Sequence, residues 1–402
     1  MSDYTLQEDD LTFVRALRDR VGDEMFGIDS VINALLIALL TRGHVLLEGN
    51  PGLGKTALIR ALSKSLGIEE PLGGMARRAV GRIQFTPDLM PSDITGTKLP
   101  DDNDRLVFQH GPIFANLLLA DEINRATPKT QSAMLEAMAE FQVTVLGETY
   151  PLTEPVSLSF SDEAGTMSYE TETPFLVMAT QNPVEQEGTN PLPEAQLDRF
   201  LFKVRMPFPT RTTLADIVRK DVTRSFGSSA GAMPTPTETQ VRLHRLGSAL
   251  RGSAVTAVVQ KHILNLVMAT VGKLDQLEGI SDRRTKELRE FCAAEVEYPL
   301  GPRSAVAMTL ATLAWAAIAV VRPNEPEQLT ACTTESFAAI VVPTLRHRTK
   351  FASSLMGFGG EGEDPQNRHD DLVRRLAELT CPDENATAFK AKLDAMRDDG
   401  SF

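Results

Sequence analysis

One eight-residue loop restricts the possible folds of this chain more than any other feature. The apolar residues 45–47 lead directly into Gly-Asn-Pro-Gly-Leu-Gly-Lys-Thr at positions 49–56, and a helical pattern follows. A strand, a glycine-rich turn and a helix in this order form a loop whose backbone N–H groups surround a phosphate. The positive end of the helix dipole points at the same phosphate. The loop therefore predicts a parallel-sheet domain that binds a nucleotide.

Individual positions of the loop have separate tasks. Lys55 is expected to reach the β- and γ-phosphates, and the Thr56 hydroxyl to ligate Mg²⁺. An ordinary glycine turn before a helix is the alternative interpretation, and the rest of the chain argues against it. The predicted phosphate-binding residues are Gly49, Asn50, Pro51, Gly52, Leu53, Gly54, Lys55, Thr56 and Ala57.

Length and composition limit the class of protein. A chain of 402 residues has room for two or three domains, and its net charge of -13 argues against a protein that mainly grips a nucleic-acid backbone. Its three cysteines are far apart without metal-binding spacing, which is typical of a reducing compartment. We expect no leader segment before the first helix, and no apolar run of the sequence is long enough to cross a bilayer. We expect a cytoplasmic protein without membrane insertion.

The order of patterns predicts two domains of different class. Short apolar runs alternate with helical patterns up to residue 210, as in a parallel sheet covered on both faces, and after residue 211 only helical patterns follow. The fold class is therefore α/β, with an all-α second domain. The predicted parts are a nucleotide-binding domain at 1–210, a linker at 211–240, an all-α domain at 241–350 and an acidic extension at 351–402. Polar segments at 86–111 and 153–173 interrupt the first domain, the second as an exposed hairpin or loop.

A nucleotide hydrolase also needs a metal-orienting carboxylate, a group that activates water and a sensor of the γ-phosphate. The apolar residues 117–120 deliver Asp121 and Glu122 to the carboxyl edge of the sheet, where phosphates bind. Asp121 is expected to hold the Mg²⁺ shell and Glu122 to polarise water. Asn182 follows another predicted strand and is a candidate sensor. Arg199 stands just before a further strand and is a candidate for stabilising transition-state charge.

Each of these residues also has a simpler interpretation. Two acids after a strand occur as a helix cap, Asn182-Pro183 is by itself a turn signal, and Arg199 beside Asp198 is most often a surface ion pair. Their shared order along alternating strands and helices favours the functional interpretation.

Together the motifs resemble the MoxR family, bacterial and archaeal AAA+ ATPases, over about residues 5–350. The strings Asp-Glu-Ile-Asn-Arg-Ala and Glu-Ala-Gln-Leu-Asp-Arg-Phe are much narrower signatures than the phosphate loop. The matching segments are 49–56, 82–89, 120–126, 179–183 and 192–200.

The resemblance implies a role for each motif and identifies ATP as the nucleotide. It makes 49–56 the Walker A loop, Asp121 and Glu122 the Walker B pair and Asn182 sensor 1. Arg199 becomes the arginine finger that reaches the neighbouring subunit, and Arg303, in a Gly-Pro-Arg string, becomes sensor 2 of an α-helical lid.

The resemblance further implies a hexameric ring that remodels or activates a partner protein, often one with a von Willebrand factor A domain. The segment 86–111 matches an insertion of this clade that points at a ring pore or substrate. Three features depart from the family pattern: Asn190 stands in place of a tyrosine, 153–173 is long, and the chain continues past Lys350.

Two other functions remain open. A nucleic-acid motor would need basic pore hairpins, yet residues 87–104 hold one lysine, Lys98, against five aspartates. A scaffold that binds nucleotide without hydrolysis would not need Glu122.

Overall fold

The computed structural model describes residues 7–50, 52–72, 78–162, 165–182, 188–223, 233–319, 333–352 and 365–399. These residues fall into two compact units. The sheet unit consists of Asp9–Phe200 and Val204–Gly247, and the helical unit of the described residues of Met1–Glu8, Leu201–Lys203 and Ser248–Phe402.

The strands of the described chain are short, as expected from the short apolar runs. They are β1 (Val45–Glu48), β2 (Arg78–Gln84), β3 (Gly96–Pro100), β4 (Leu106–His110), β5 (Ala115–Asp121), β6 (Gln142–Val145), β7 (Glu148–Pro151), β8 (Pro155–Asp162), β9 (Gly165–Glu172), β10 (Leu176–Gln181), β11 (Phe202–Arg205), β12 (Val296–Tyr298) and β13 (Lys350–Phe351).

Two helices precede the first strand, others are interspersed with the strands of the sheet unit, and helices make up most of the helical unit. They are α1 (Glu8–Glu24), α2 (Asp29–Thr41), α3 (Lys55–Ser65), α4 (Pro91–Thr95), α5 (Pro128–Glu140), α6 (Glu194–Leu197), α7 (Arg211–Thr223), α8 (Pro236–Gly252), α9 (Ala257–Thr270), α10 (Asp282–Glu295), α11 (Pro302–Ala319), α12 (Thr333–Leu345), α13 (Pro365–Thr380) and α14 (Ala386–Asp399).

A five-stranded sheet with the order β11-β1-β10-β5-β2 forms the centre of the sheet unit. The pairs β1–β10, β10–β5 and β5–β2 are parallel. Strand β5 is buried from Ala115 to Ala120, so both of its faces are covered. Helices on both sides of a parallel sheet require such apolar strands, and the predicted α/β fold class is confirmed.

Helix α5 packs its apolar face into the core of the sheet unit. It starts where the Thr127 hydroxyl accepts a hydrogen bond from the Thr130 N–H, with Pro128 at the first helical position. Met134 and Met138, one turn apart, join the buried cluster that contains Leu118 of β5. This packing sets α5 firmly against the sheet.

Two polar segments interrupt the sheet unit as hairpins. Segment 86–111 forms α4 and the antiparallel pair β3–β4, and 153–173 forms the antiparallel pair β8–β9, which confirms the hairpin alternative for that segment. Hairpin β8–β9 is not detached, since the Arg242 guanidinium lies 5.5 Å from the ring centroids of both Phe160 and Phe13 of α1. The hairpin is thus held by a cation–π contact within its own unit.

The helical unit holds the short segment Leu201–Lys203 through two arginines. The Arg348 Nη1 donates to the Leu201 carbonyl at 2.9 Å, and the Arg346 Nη1 donates to the Lys203 carbonyl at 2.8 Å. Arg346 also forms a buried bidentate pair with Asp370 of α13, at 2.8 and 2.9 Å. Helix α13, which lies within the predicted acidic extension, therefore packs within the helical unit.

One expectation about the second domain is wrong. One short antiparallel pair, β12–β13, lies in the helical unit after residue 211, where no strand was expected; it is only two or three residues long and carries no apolar run. Segment 211–240, expected to be a linker, contains α7 and the start of α8, and residues 224–232 lie outside the described chain. The domain boundaries themselves remain predictions.

The described cysteines are not reactive thiols. Burial raises the pKa of Cys292 to about 11 and that of Cys381 to about 12, and both are free. This agrees with buried or incidental thiols, while Cys332 lies outside the described residues.

Replacing His44 with asparagine is expected to flatten the pH dependence of stability. Burial lowers the His44 pKa from 6.5 to about 4. Between these values the unfolded chain binds a proton that the folded one excludes, so stability falls as the pH drops, by about 2 kcal/mol at pH 5. The ring is neutral because Nδ1 accepts from the Val177 N–H at 3.1 Å, with Nε2 3.1 Å from the Met138 carbonyl.

The measurement is the free energy of unfolding in urea for both proteins at pH 5 and pH 7.5. Asparagine keeps an acceptor but does not titrate, so the stability gap between the two proteins should narrow at pH 5. His262 and His369 are also buried and present in both proteins, so their contributions cancel. An equal gap at both pH values would contradict the role of His44.

Candidate functional site

The candidate site lies where three neighbouring parallel strands end at one edge of the sheet. Strand β10 is paired on one side with β1, Glu48 opposite Gln181, and on the other with β5, Ala179 opposite Ala120. The segments that leave these strands therefore start side by side. They carry the phosphate loop, the Asp121-Glu122 pair and Asn182.

The loop after β1 has the backbone of a phosphate-binding loop. Gly52 and Gly54 have φ angles of 84° and 80°, a left-handed region that glycine adopts without strain. Gly54 is the N-cap of α3, and neither a capping side chain nor an acidic residue occurs in the first turn of that helix. Pro51 lies outside the described residues.

These features fit an anionic ligand. The first N–H groups of an uncapped helix have no intrahelical acceptor and carry partial positive charge. Because no carboxylate of the first turn satisfies them, phosphate oxygens are the natural partners at this end of α3. Residues 52–57 are thus suited to a triphosphate.

Lys55 is the buried cation of the loop. Its side chain is 8% exposed, and its ammonium group donates to the Gly49 carbonyl at 2.7 Å. Burial lowers the Lys55 pKa, while the negative charges of Asp121 and Glu122 act in the opposite direction. A buried ammonium facing two carboxylates is a place where further negative charge is stabilised, provided that magnesium or another cation balances it.

The Thr180 hydroxyl of β10 joins β10 to the acidic pair at the end of β5. It donates to Asp121 Oδ1 at 2.7 Å and accepts from the Glu122 backbone N–H at 2.9 Å. The second carboxylate oxygen of Asp121 accepts from Arg82 Nη2 at 2.9 Å. Asp121 is therefore oriented from two neighbouring strands.

Glu122 is held in an uncommon backbone conformation by its surroundings. Its φ angle of 58° lies in the left-handed region, which non-glycine residues seldom adopt. Its carboxylate accepts from Gln84 Nε2 at 2.9 Å and lies 3.1 Å from Arg125 Nε. Such strain is maintained only where neighbouring groups impose it, and it clusters at functional sites.

The other predicted site residues occupy separate positions. Asn182 directly follows β10 and is buried. Arg199 lies after α6 and donates through Nη1 to the Leu135 carbonyl of α5. Arg303 is exposed in the first turn of α11 in the helical unit, so its contact with nucleotide remains a prediction.

Sequence reasoning missed four side chains that contact the acidic pair: Arg82, Gln84, Arg125 and Thr180. All four lie within the family-matching segments but were given no role there. The pairing of β2 with β5 and of β5 with β10 brings Arg82, Gln84 and Thr180 to the carboxylates, whereas Arg125 reaches Glu122 locally, from three residues along the chain.

The nucleotide-binding part matches a known family model. Residues 44–202 match the ATPase family associated with various cellular activities (AAA). These residues include the whole predicted catalytic set of the sheet unit.

Curated relatives align with the same part of the chain. The chain is 47% identical over 201 residues to the uncharacterized protein YeaC of Bacillus subtilis, covering 50% of this chain and 54% of YeaC. It is 42% identical over 193 residues to Chaperone MoxR1 of Mycobacterium tuberculosis, covering 48% of this chain and 44% of MoxR1. The chain thus spans about half the length of the curated relatives it matches.

A solved structure covers both units. It comes from a Cytophaga hutchinsonii protein that is provisionally named an ATPase. It is 30% identical, covers 91% of this chain and 96% of its own, and superposes with a TM-score of 0.65.

Replacing Lys55 with alanine is expected to weaken the binding of a fluorescent ATP analogue at least about tenfold, because a charge-assisted hydrogen bond to phosphate is lost. Lys64→Ala is the matched control: Lys64 lies in the same helix but pairs at the surface with Glu24 at 2.6 Å. Equal affinities for Lys55→Ala and the unmodified protein would refute the assignment of the loop.

Proposed function

Because the chain belongs to the MoxR family of AAA+ ATPases, we propose that it binds and hydrolyses ATP and uses hydrolysis to remodel or activate a partner protein. The observation that carries this proposal is the meeting of buried Lys55 with Asp121 and Glu122 at one sheet edge. A triphosphate there would face a cation, a metal-binding carboxylate and a general base, which phosphoryl transfer requires.

Each residue at the edge has a distinct part in hydrolysis. Thr56 and Asp121 would hold Mg²⁺, which when bound supplies positive charge to the phosphate oxygens. Glu122 would orient the attacking water and accept its proton, and the Asn182 amide would hydrogen-bond the water or the γ-phosphate. The Thr180 hydroxyl, which joins the Asp121 carboxylate to the Glu122 backbone, keeps the two acids in register.

Two side chains hold the Glu122 carboxylate in place. Gln84 Nε2 and Arg125 Nε both contact Oε2. An ionised carboxylate has about four lone-pair sites on its two oxygens, so Glu122 can accept a hydrogen bond from the attacking water while these contacts orient it.

Arg199 is proposed to complete the site of a neighbouring subunit in a hexameric ring, as the resemblance of 192–200 implies. An arginine that enters a phosphoryl-transfer site is worth about 10³ to 10⁵ in rate, so hydrolysis would depend on assembly. Arg303 of the helical unit is proposed to contact the γ-phosphate and to couple its loss to movement of that unit.

A protein is favoured as the partner, and the resemblance points to one with a von Willebrand factor A domain. Among relatives, MoxR1 carries the name chaperone. In the insertion, residues 87–104 hold five aspartates and one lysine, which disfavours a phosphate backbone as ligand. No helix in the described parts of the chain is long and apolar enough to cross a membrane, and the cytoplasmic location stays a prediction.

Replacing Glu122 with glutamine is expected to lower kcat about 10³-fold while leaving ATP affinity within about threefold, since the amide cannot accept the proton of water. The measurement is phosphate release by assembled protein with Mg²⁺, beside binding of the ATP analogue. Equally low turnover of the assembled unmodified protein would favour the nucleotide-gated scaffold instead.

Mixing inactive subunits tests the shared site. Arg199→Ala should bind ATP and hydrolyse poorly, as should Glu122→Gln. In mixed rings some seams combine an intact Glu122 with an intact Arg199, so part of the turnover should return. No recovery at any mixing ratio would mean that each site is completed within one chain.

A further inference from the structure

Neighbouring positions on one face of helix α5 contact two segments that matter for hydrolysis. Gln131 and Leu135 are four residues apart and Ser132 is three from Leu135, so these positions lie along one side of the helix. Gln131 Nε2 donates to the Asn190 carbonyl at 2.8 Å, Ser132 Oγ accepts from Gln196 Nε2 at 3.0 Å, and the Leu135 carbonyl accepts from Arg199. The segment 190–199 therefore runs along α5 and ends in Arg199.

The same glutamine also holds the turn that follows Glu122. Gln131 Nε2 donates a second hydrogen bond, to the Ile123 carbonyl at 3.2 Å. Asn190, whose carbonyl binds Gln131, donates its N–H to the Asn124 carbonyl at 2.7 Å and its Nδ2 to the Ala126 carbonyl at 3.0 Å. Three carbonyls of this turn are thus bound by Gln131 and Asn190.

The location of Gln131 makes these bonds costly to lose. Its side chain has no measurable exposure, so water cannot replace the bonds to Ile123 and Asn190. Helix α5 is anchored independently, by the Thr127 cap and by Met134 and Met138 in the core. Gln131 is therefore a fixed point to which the turn after Glu122 and the segment 190–199 are both attached.

The backbone conformation of Glu122 depends on these hydrogen bonds more than that of a residue with a common φ angle would. Its left-handed backbone must be imposed by the turn that it begins, and that turn has its carbonyls bound by Gln131 and Asn190. A misplacement of about 1 Å at a catalytic group can lower a rate about 100-fold.

We propose that Gln131 is a positioning residue for hydrolysis that sets Glu122 for its own subunit and Arg199 for the neighbouring one. The inference rests on the proposed function, in which these two residues act at different seams of the ring. One buried side chain would then position both Glu122, which acts in the site of its own subunit, and Arg199, which acts in the site of the neighbouring subunit.

Gln131→Met tests the proposal, since methionine has similar length and volume but no donor. We expect kcat of the assembled protein to fall 10- to 100-fold, with the affinity for the fluorescent ATP analogue within about threefold of the unmodified value. Glu136→Gln, a change on the exposed side of the same helix, is the matched control with unaltered kcat. Unaltered kcat for Gln131→Met would overturn the proposal.

Mixed rings separate a double role from a single one. A Gln131→Met subunit should supply neither a working Glu122 nor a working Arg199, so neither Arg199→Ala nor Glu122→Gln subunits should restore its turnover. Recovery with Arg199→Ala would show that Arg199 does not need Gln131. Recovery with Glu122→Gln would show the same for Glu122. Either recovery overturns the proposal.

The mixture of Glu122→Gln with Arg199→Ala is the reference that distinguishes failure of the shared site from failure of the proposed role of Gln131. If this reference mixture stays inactive, the shared site is refuted, and the role of Gln131 is refuted with it. If the reference mixture regains turnover, recovery in a mixture with Gln131→Met refutes only the role of Gln131. Circular dichroism and sedimentation verify folding and assembly. Should Gln131→Met not fold, Gln131→Leu carries the same test, because it also removes the donor to the Ile123 and Asn190 carbonyls.

Discussion

The parallel pairing of β1, β10 and β5 is the constraint on which the site depends. In this register Leu47 lies opposite Thr180 and Ala179 opposite Ala120, so Thr180 comes within hydrogen-bond distance of both acids. A slip of one residue would turn the Thr180 hydroxyl to the other face of the sheet. The slip is prevented by the apolar side chains of β5 and β10, which are buried on both faces.

The same pairing brings charged side chains together at the sheet edge, where a highly charged ligand can bind. Lys55 is buried beside Asp121 and Glu122, and these carboxylates in turn accept from Arg82 and Gln84. Groups already fixed in place need little reorganisation when charge develops near them, which is the main source of electrostatic catalysis. The uncapped start of α3 adds partial positive charge on the same side.

Helix α5 connects the acidic pair to other parts of the sheet unit. Helix α5 is packed against the core and binds the backbone that follows Glu122 as well as the segment that ends in Arg199. Both insertions are attached to the sheet unit by side-chain contacts. In segment 86–111 the Leu89 carbonyl accepts from the Thr130 hydroxyl of α5 at 2.7 Å, and hairpin β8–β9 is held through Arg242. Long polar insertions are tolerated here because they add little to the cost of closing the fold.

Sequence alone determined the strands of the central sheet, the phosphate loop and the acidic pair, because apolar runs and glycine spacing are local signals that need no partner. Local polarity left a hairpin or a loop open for 153–173, and it did not predict the contact with Arg242. Gln84, Arg125, Thr180 and Gln131 became functional candidates only in the tertiary structure. The roles of Gln84, Thr180 and Gln131 arise from strand order and from hydrogen bonds between residues up to 59 positions apart, and such distances are set by packing rather than by any pattern along the chain.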